Sequence, residues 1–440
     1  MTSDRAVPVA IIGGGFSGTI VAAQLARRGI ASALIDGSGR AGKGVAYSTI
    51  EPAHLLNVRA EGMSAWSGEP DHFARHFEAE GGEPRGFAQR RFFARYLGGI
   101  LDEAKAAGVE VIDGVASKAA RSDGGWRIAF DDGQTLDADA IVLATGNQEP
   151  GSLAAFAGVG DHYLRNPWGE AARAVVEDLA GTNKAALLVG TGLTMVDLVL
   201  SLDAAGHRGR VVALSRRGLI PRSHADFEPA PVAEEDVPAG NLRMLSRWLR
   251  RRAGQVGWRA AVDSLRPYSH PLWQGLAVDE QQRFLRHVRP WWDVHRHRIA
   301  PDVAQTLARM VAEGRLEIVA GRIISASDTD QGLEVSYRRR GAASIQSERF
   351  AYAFNCTGPL HSMARTKDSL LRSLLDAGQV RPDQLGIGLE VDEHSRPVGS
   401  ERLWALGPLT KGRYWEIIAV PDIREQAADV AADIAQELGR

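Results

Sequence analysis

Val7-Pro8-Val9-Ala10-Ile11-Ile12-Gly13-Gly14-Gly15-Phe16-Ser17-Gly18-Thr19-Ile20-Val21 is the stretch on which the fold turns. The apolar run Val7 to Ile12 ends in glycines, the pattern of a short strand buried on both faces. Ser17 to Arg28 follows with Ile20, Val21 and Leu25 at helical spacing and stops at Gly29. Ala31 to Ile35 reads as a second strand closed by Asp36. Strand, glycine turn, helix and strand make one βαβ unit. Gly13, Gly15 and Gly18 occupy the GxGxxG positions. The first permits a tight turn, the second lets backbone approach a pyrophosphate, and the third lets helix and strand pack closely. Phe16 and Ser17 open the helix, whose unpaired N–H groups face the same anion. Asp36 stands where a carboxylate accepts ribose hydroxyls. The stretch predicts a dinucleotide site.

Farther along, the same plan recurs. Val109 to Val111, Gly114, Gly125 to Phe130 and Asp139 to Gly146 read as a strand, a hairpin and a last strand ending in Thr145-Gly146. Leu316 to Ile318, Gly321, Gly332 to Tyr337 and Tyr352 to Gly358 repeat that order and end in Thr357-Gly358. Ala185 to Gly190 opens a second βαβ unit before the second copy, with the fingerprint Gly190-Thr191-Gly192. Met195 takes the third glycine position, so helix and strand pack less closely there. The next strand ends in Ser215-Arg216-Arg217 rather than an acid. An acid would repel a 2′-phosphate, whereas arginines pair with it, which favours NADPH over NADH. A solvated strand end on a vestigial fold is the plainer reading of the same arginines.

Two dinucleotide units in one chain suit a flavin reduced by a nicotinamide, FAD on the first and NADPH on the second. Thr145-Gly146 and Thr357-Gly358 are then the turns where the chain crosses between domains, and Gly407 sits near the flavin ribityl and pyrophosphate as the chain returns. The predicted fold is α/β with two Rossmann-like three-layer domains. Residues 1–165 with 355–440 form the discontinuous FAD domain and 166–354 the NADP domain. Residues 229–310, rich in arginine, tryptophan and histidine, are predicted to be a helical insertion serving the substrate.

Composition narrows the chemistry. A net charge of −2 gives no reason to expect nucleic acid as a partner. The single cysteine, Cys356, excludes a CxxC redox pair and a cysteine zinc cluster. No apolar run approaches the roughly 18 residues of a membrane span, and Met1 to Pro8 lacks the regions of a signal peptide. The expectation is a cytoplasmic enzyme without a metal, of undetermined oligomeric state.

Several segments together carry a resemblance: Gly42 to Thr49, His54 to Val58, Met63 to Ala65, Gly190 to Asp197, Ser215 to Gly218, Trp291 to Arg298 and Ala419 to Arg424. With them the chain resembles bacterial FAD/NAD(P)-binding flavoproteins and, more distantly, flavin-dependent N-hydroxylating and Baeyer–Villiger-type monooxygenases. The resemblance implies NADPH reduction of FAD, then oxygen attack on a small substrate, such as an amino-acid amine, through a flavin hydroperoxide. It also implies that Asn57 lies beside the isoalloxazine as a donor, although a loop asparagine equally serves to fix a turn. In the insertion, Trp292, His295, His297 and Arg298 offer guanidinium, imidazole and an apolar wall to an acidic or amino-acid substrate. A solvated basic face with packed tryptophans is the structural alternative. An NADPH-dependent flavin reductase feeding a quinone or protein acceptor uses the same cofactor motifs, and so does a flavin-bound sensor without turnover.

Overall fold

A computed structural model describes residues 6–440. Its first sheet contains β1 (Ala6–Ile12), β2 (Ser32–Ile35), β3 (Val109–Ile112), β4 (Ala116–Ser122), β5 (Gly125–Phe130) and β6 (Thr135–Leu143), in the order β3-β2-β1-β6-β5-β4. β1 is central because Val9, Ala10 and Ile11 are wholly buried, with helices against one face and a second apolar layer on the other. It pairs in parallel with β2 and β6, Ile12 lying opposite both Ile35 and Leu143. The long β6 has two jobs. Its first half joins the β4–β5 hairpin in antiparallel fashion, and its second half faces the returning chain.

The second sheet repeats this plan with β7 (Tyr163–Leu164), β8 (Ala186–Val189), β9 (Val211–Ser215), β10 (Leu316–Thr329), β11 (Gly332–Arg339), β12 (Gln346–Phe350) and β13 (Tyr352–Asn355), in the order β12-β11-β10-β9-β8-β13-β7. β10 performs the double role that β6 has in the first sheet, parallel to β9 and antiparallel to β11. The chain then returns, and β14 (Leu403–Ala405) pairs in parallel with the second half of β6. The helix Val420–Glu437 closes the first layer by packing on the helix Phe16–Arg27.

Two boundaries differ from the sequence reading. β7 already hydrogen-bonds to β13, so the crossover into the second sheet precedes residue 163 rather than following 165. The helix Pro301–Ala312 buries Val303, Leu307 and Met310 in the second domain's core with Leu198 and Leu202, so the insertion proper ends near Ala300. Its helices, including Leu242–Val256, Trp258–Asp263, Ser269–Gln274 and Arg289–Arg296, contribute a small separate core of Leu242, Trp273, Leu276 and Phe284. Trp415 of the returning segment packs on that core, with its ring 4.8 Å from Trp273, and thereby fastens the insertion to the first domain.

Among the described residues, no helix is long and apolar enough to cross a membrane.

Candidate active site

The first glycine turn leaves no room for side chains. Gly13 has φ +111°, and a Cβ there would overlap the carbonyl of Ala144; one on Gly18 would overlap the carbonyl of Gly13. Asp36 lies against the turn, since a Cβ on Gly14 would meet its carboxylate, and one oxygen of that group accepts from Ser38 N at 2.7 Å. The Gly42 N–H donates to the Gly14 carbonyl at 2.8 Å, folding the following loop over the turn. Phe16, buried on Phe93 at 6.2 Å, and Ser17 begin a helix whose first N–H groups have no intrahelical acceptor.

Two further segments arrive at this carboxyl edge. Thr145 and Gly146 follow β6, and the Thr145 hydroxyl is buried with no hydrogen-bond partner. Gly407 follows β14 with φ +62°; its N–H donates to Gln426 Oε1 at 2.8 Å, and a Cβ added there would lie 2.9 Å from Ser17 Oγ. Glycines with no room for a Cβ, helix N–H groups without intrahelical acceptors and a buried hydroxyl with no partner suit a bound pyrophosphate.

The second turn is built alike. Gly190 has φ +124°, and a Cβ there would overlap the carbonyl of Cys356, the position Ala144 holds in the first domain. Gly192 faces open space. Met195 is wholly buried in the second domain's core, so the missing third glycine is absorbed by packing. Thr191 Oγ1 lies 2.9 Å from Ser215 Oγ and donates to the Leu219 carbonyl, while Ser215 Oγ accepts from Gly218 N at 3.0 Å. These bonds tie the end of β9 to the glycine turn. Arg216 and Arg217 follow directly, and neither forms an ion pair or hydrogen bond among the described residues. Cys356 is buried, and burial pushes its thiol pKa up, so it is a packed strand end and no nucleophile.

A polar latch joins the domains. Arg90 Nη2 meets Asp197 Oδ1 at 2.9 Å, and Arg90 Nε donates to the Leu55 carbonyl at 3.1 Å. The buried His54 ring reaches the Asp197 carbonyl at 2.9 Å and Ser201 Oγ at 3.1 Å through Nε2, with Nδ1 held by Thr49 Oγ1 at 2.7 Å. Nearby, His224 Nε2 donates to the Asn57 carbonyl at 3.0 Å, and its ring packs on Phe87. Burial lowers the His224 pKa to about 4, keeping the ring neutral. Asn57 thus sits at the domain junction, but its backbone carbonyl makes the contact. Sequence reasoning missed this latch, because its partners are far apart in the chain.

The four substrate candidates do not converge. Arg298 is withdrawn from solvent: its guanidinium holds Asp263 at 2.7 Å and the His295 carbonyl at 2.9 Å. His295 packs edge-on against Trp258, 5.0 Å away, and bonds to the Trp291 carbonyl. Both therefore stabilise the insertion and leave the substrate set. Trp292 and His297 meet at Glu416, which the sequence reading overlooked. Its carboxylate accepts from Trp292 Nε1 and from Arg296 Nε at 3.1 Å, and lies 3.9 Å from His297 Nε2. Glu416 is buried with φ +73°, a strained conformation for a residue with a Cβ that these contacts hold in place. Burial lowers the His297 pKa to about 4 and raises those of Asp293 and Asp422, whose Oδ2 is buried without a partner.

Beside them lies a knot of basic groups. Arg289 donates to His361 Nε2 at 3.0 Å, which places that ring's proton on Nδ1. Nδ1 in turn faces Lys411 Nζ at 3.3 Å. A ring N–H opposite an ammonium is donor against donor. The conflict resolves when the amine loses its proton or when an anion enters the gap. Burial, reinforced by Arg289, lowers the Lys411 pKa to about 8. The arrangement can therefore hold a carboxylate or similar anion at the junction of the insertion, the second crossover and the returning segment. Among the described residues, no group of three or more histidine, cysteine, aspartate or glutamate side chains is placed to hold a metal ion.

Residues 10–148 match the FAD-NAD(P)-binding family model. The first sheet and its glycine turn are thus an FAD/NAD(P)-binding domain. No curated protein matches the chain in sequence. Among solved structures, ornithine hydroxylase from Pseudomonas aeruginosa aligns at TM-score 0.67 and 14% identity, covering 98% of this chain and 100% of that one. L-lysine 6-monooxygenase from Pseudomonas syringae aligns at 0.67 and 16%, again over 98% and 100%. The ornithine N-hydroxylase of Kutzneria sp. 744, solved with reduced FAD, NADP+ and L-ornithine, aligns at 0.63 and 15%, over 98% and 99%. At such identities the likeness is one of fold: the chain has the two-domain architecture of these flavoproteins.

Proposed function

We propose that this chain is an NADPH-dependent flavin monooxygenase acting on a small substrate that carries an anionic group. The reading rests on one contrast. The first glycine turn is bordered by a carboxylate, Asp36, and the second by two arginines without partners, Arg216 and Arg217. A carboxylate suits ribose hydroxyls, and free guanidinium groups suit a 2′-phosphate.

In this reading Gly13, Gly15, Phe16, Ser17 and Gly18 hold the FAD pyrophosphate and Asp36 its ribose, with Thr145, Gly146 and Gly407 completing the wall. Gly190, Thr191 and Gly192 hold the second pyrophosphate, and Ser215 fixes the strand end that presents Arg216 and Arg217. FAD, when bound, supplies hydride acceptance and oxygen activation. The latch of His54, Arg90 and Asp197 keeps the two cradles at a fixed separation. Asn57, held by His224 through its carbonyl, anchors the loop beside the flavin. Arg289, His361 and Lys411 bind the substrate anion and orient the rest of the molecule. Glu416, with Trp292, Arg296 and His297, braces the wall behind it.

Mixing the flavin-loaded protein anaerobically with NADPH, and separately with NADH, tests the reading. NADPH is expected to bleach the flavin absorbance much faster than NADH. Oxygen should then restore it after a lag and yield a hydroxylated amine product in the presence of an amino-acid substrate. Immediate reoxidation without a lag, with electrons passing to a quinone, would make the protein a reductase. Equal bleaching by the two nucleotides would remove the role given to Arg216 and Arg217.

A further inference from the structure

The helix Leu242–Val256 carries Arg243, Arg247, Arg250, Arg251 and Arg252 and no acidic residue, in a chain whose net charge is −2. Arg243, Arg247 and Arg250 lie at i, i+4 and i+7, on one face, where like charges repel. All three side chains are exposed. The face borders an open groove of about 550 Å³ whose opposite wall, from Val278 onward, contributes Arg283 and His287. The carboxylate in the groove, Glu280, is already committed: one oxygen takes Arg283 and the other accepts from Leu242 N at 3.1 Å. Arg243, Arg247 and Arg250 form no ion pair or hydrogen bond among the described residues. The wall facing them is π-helical over Phe284–Val288, a conformation that is rare and concentrates at functional sites.

We propose that this groove is a binding site for a small anion bearing a chain of two or more phosphoryl groups. Its volume of about 550 Å³ admits a small anion, and its basic lining selects an anion over a neutral molecule. The three arginines are spread over about 10 Å of helix at 1.5 Å per residue. That span is too long for one phosphate and suits a di- or triphosphate, which guanidinium forks grip in bidentate fashion. The groove is lined by none of the residues assigned to either glycine turn, so the site stands apart from the cofactors.

Isothermal titration of the flavin-loaded protein, kept in saturating NADP+ so that the nucleotide cradles are occupied, tests the proposal with tripolyphosphate as the probe. One molecule is expected to bind per chain, at least tenfold more tightly than orthophosphate. The double variant Arg247→Ala/Arg250→Ala should weaken it about 100-fold, taking about 1.5 kcal/mol as the lower value of each charge-assisted bond. Flavin content and the rate of reduction by NADPH should not change in that variant, which also reports that it folds. Adenosine triphosphate binding more tightly than tripolyphosphate would still support the proposal and add a nucleoside to the ligand. Absence of binding, equal binding to the double variant, or binding only of a long acidic polymer would each overturn it.

Discussion

Replacing Arg90 with methionine removes one half of an ion pair that is almost wholly enclosed. The Arg90 side chain is 11% exposed and that of Asp197 7%, and the two meet at 2.9 Å. Solvent screening, which reduces most surface pairs to about 0–1 kcal/mol, does little here. The variant leaves the Asp197 carboxylate buried and unpaired, which costs about 3–5 kcal/mol. Loss of the Arg90 bond to the Leu55 carbonyl adds about 1 kcal/mol. The double variant Arg90→Met/Asp197→Leu fills the same space with apolar groups and should recover most of that loss, because both desolvation penalties disappear together. Urea unfolding followed by tryptophan fluorescence measures the stabilities. A single-variant cost below about 1 kcal/mol, or a double variant no more stable than Arg90→Met, would refute a buried latch. The consequence for activity is separable. Asp197 lies on the helix that follows the second glycine turn, so the single variant should also slow flavin reduction by NADPH at saturating nucleotide.

Gly18→Val should yield a folded but colourless protein, since its Cβ would overlap the Gly13 carbonyl and push the helix off its strand; flavin absorbance relative to protein absorbance measures this. Arg216→Glu/Arg217→Glu should raise the KM for NADPH at least tenfold and leave flavin content and the KM for NADH within twofold, with each lost charge-assisted bond worth about 1.5–3 kcal/mol; steady-state kinetics with both nucleotides decides. The folded-state pKa of His224 is about 4 against 6.5 for the free ring, so the unfolded chain takes up a proton that the folded chain refuses as the pH drops through that interval. Stability should therefore fall on acidification from 6.5 towards 4, with His297 acting in the same sense. His224→Asn should remove about 2 kcal/mol of the loss between pH 6.5 and 5, as measured by urea unfolding at both values. Lys411 loses its proton through about pH 8, so the KM for an anionic substrate should rise above that pH in the parent and stay flat, though high, in Lys411→Met; a pH–KM profile checks this.

Most of the fold was legible because it is written at short range. An apolar run of about six residues, a glycine turn and a 3.6-residue period lie within one βαβ unit, and both copies read the same way. The glycine requirements also follow from local geometry, although the atoms that forbid a Cβ, the Ala144 and Cys356 carbonyls, come from a later strand. The insertion was legible as helical but not as a site. Trp292, His295, His297 and Arg298 stand close in sequence, yet a helix that ends at Arg296 sends them to different neighbours. Arg298 finds Asp263, His295 finds Trp258, and Trp292 and His297 find Glu416.

By itself, then, the sequence determined where two glycine turns form and which is bordered by an acid and which by arginines, because backbone turns and strand ends are set by adjacent residues. Only the tertiary structure decided which charged side chains are free. A guanidinium is available or consumed according to partners that arrive from elsewhere: Asp197 for Arg90 across 107 positions, Glu416 for Arg296 across 120. Burial then sets the protonation of His224, His297 and Lys411, and burial belongs to the assembled layers rather than to any segment of the chain.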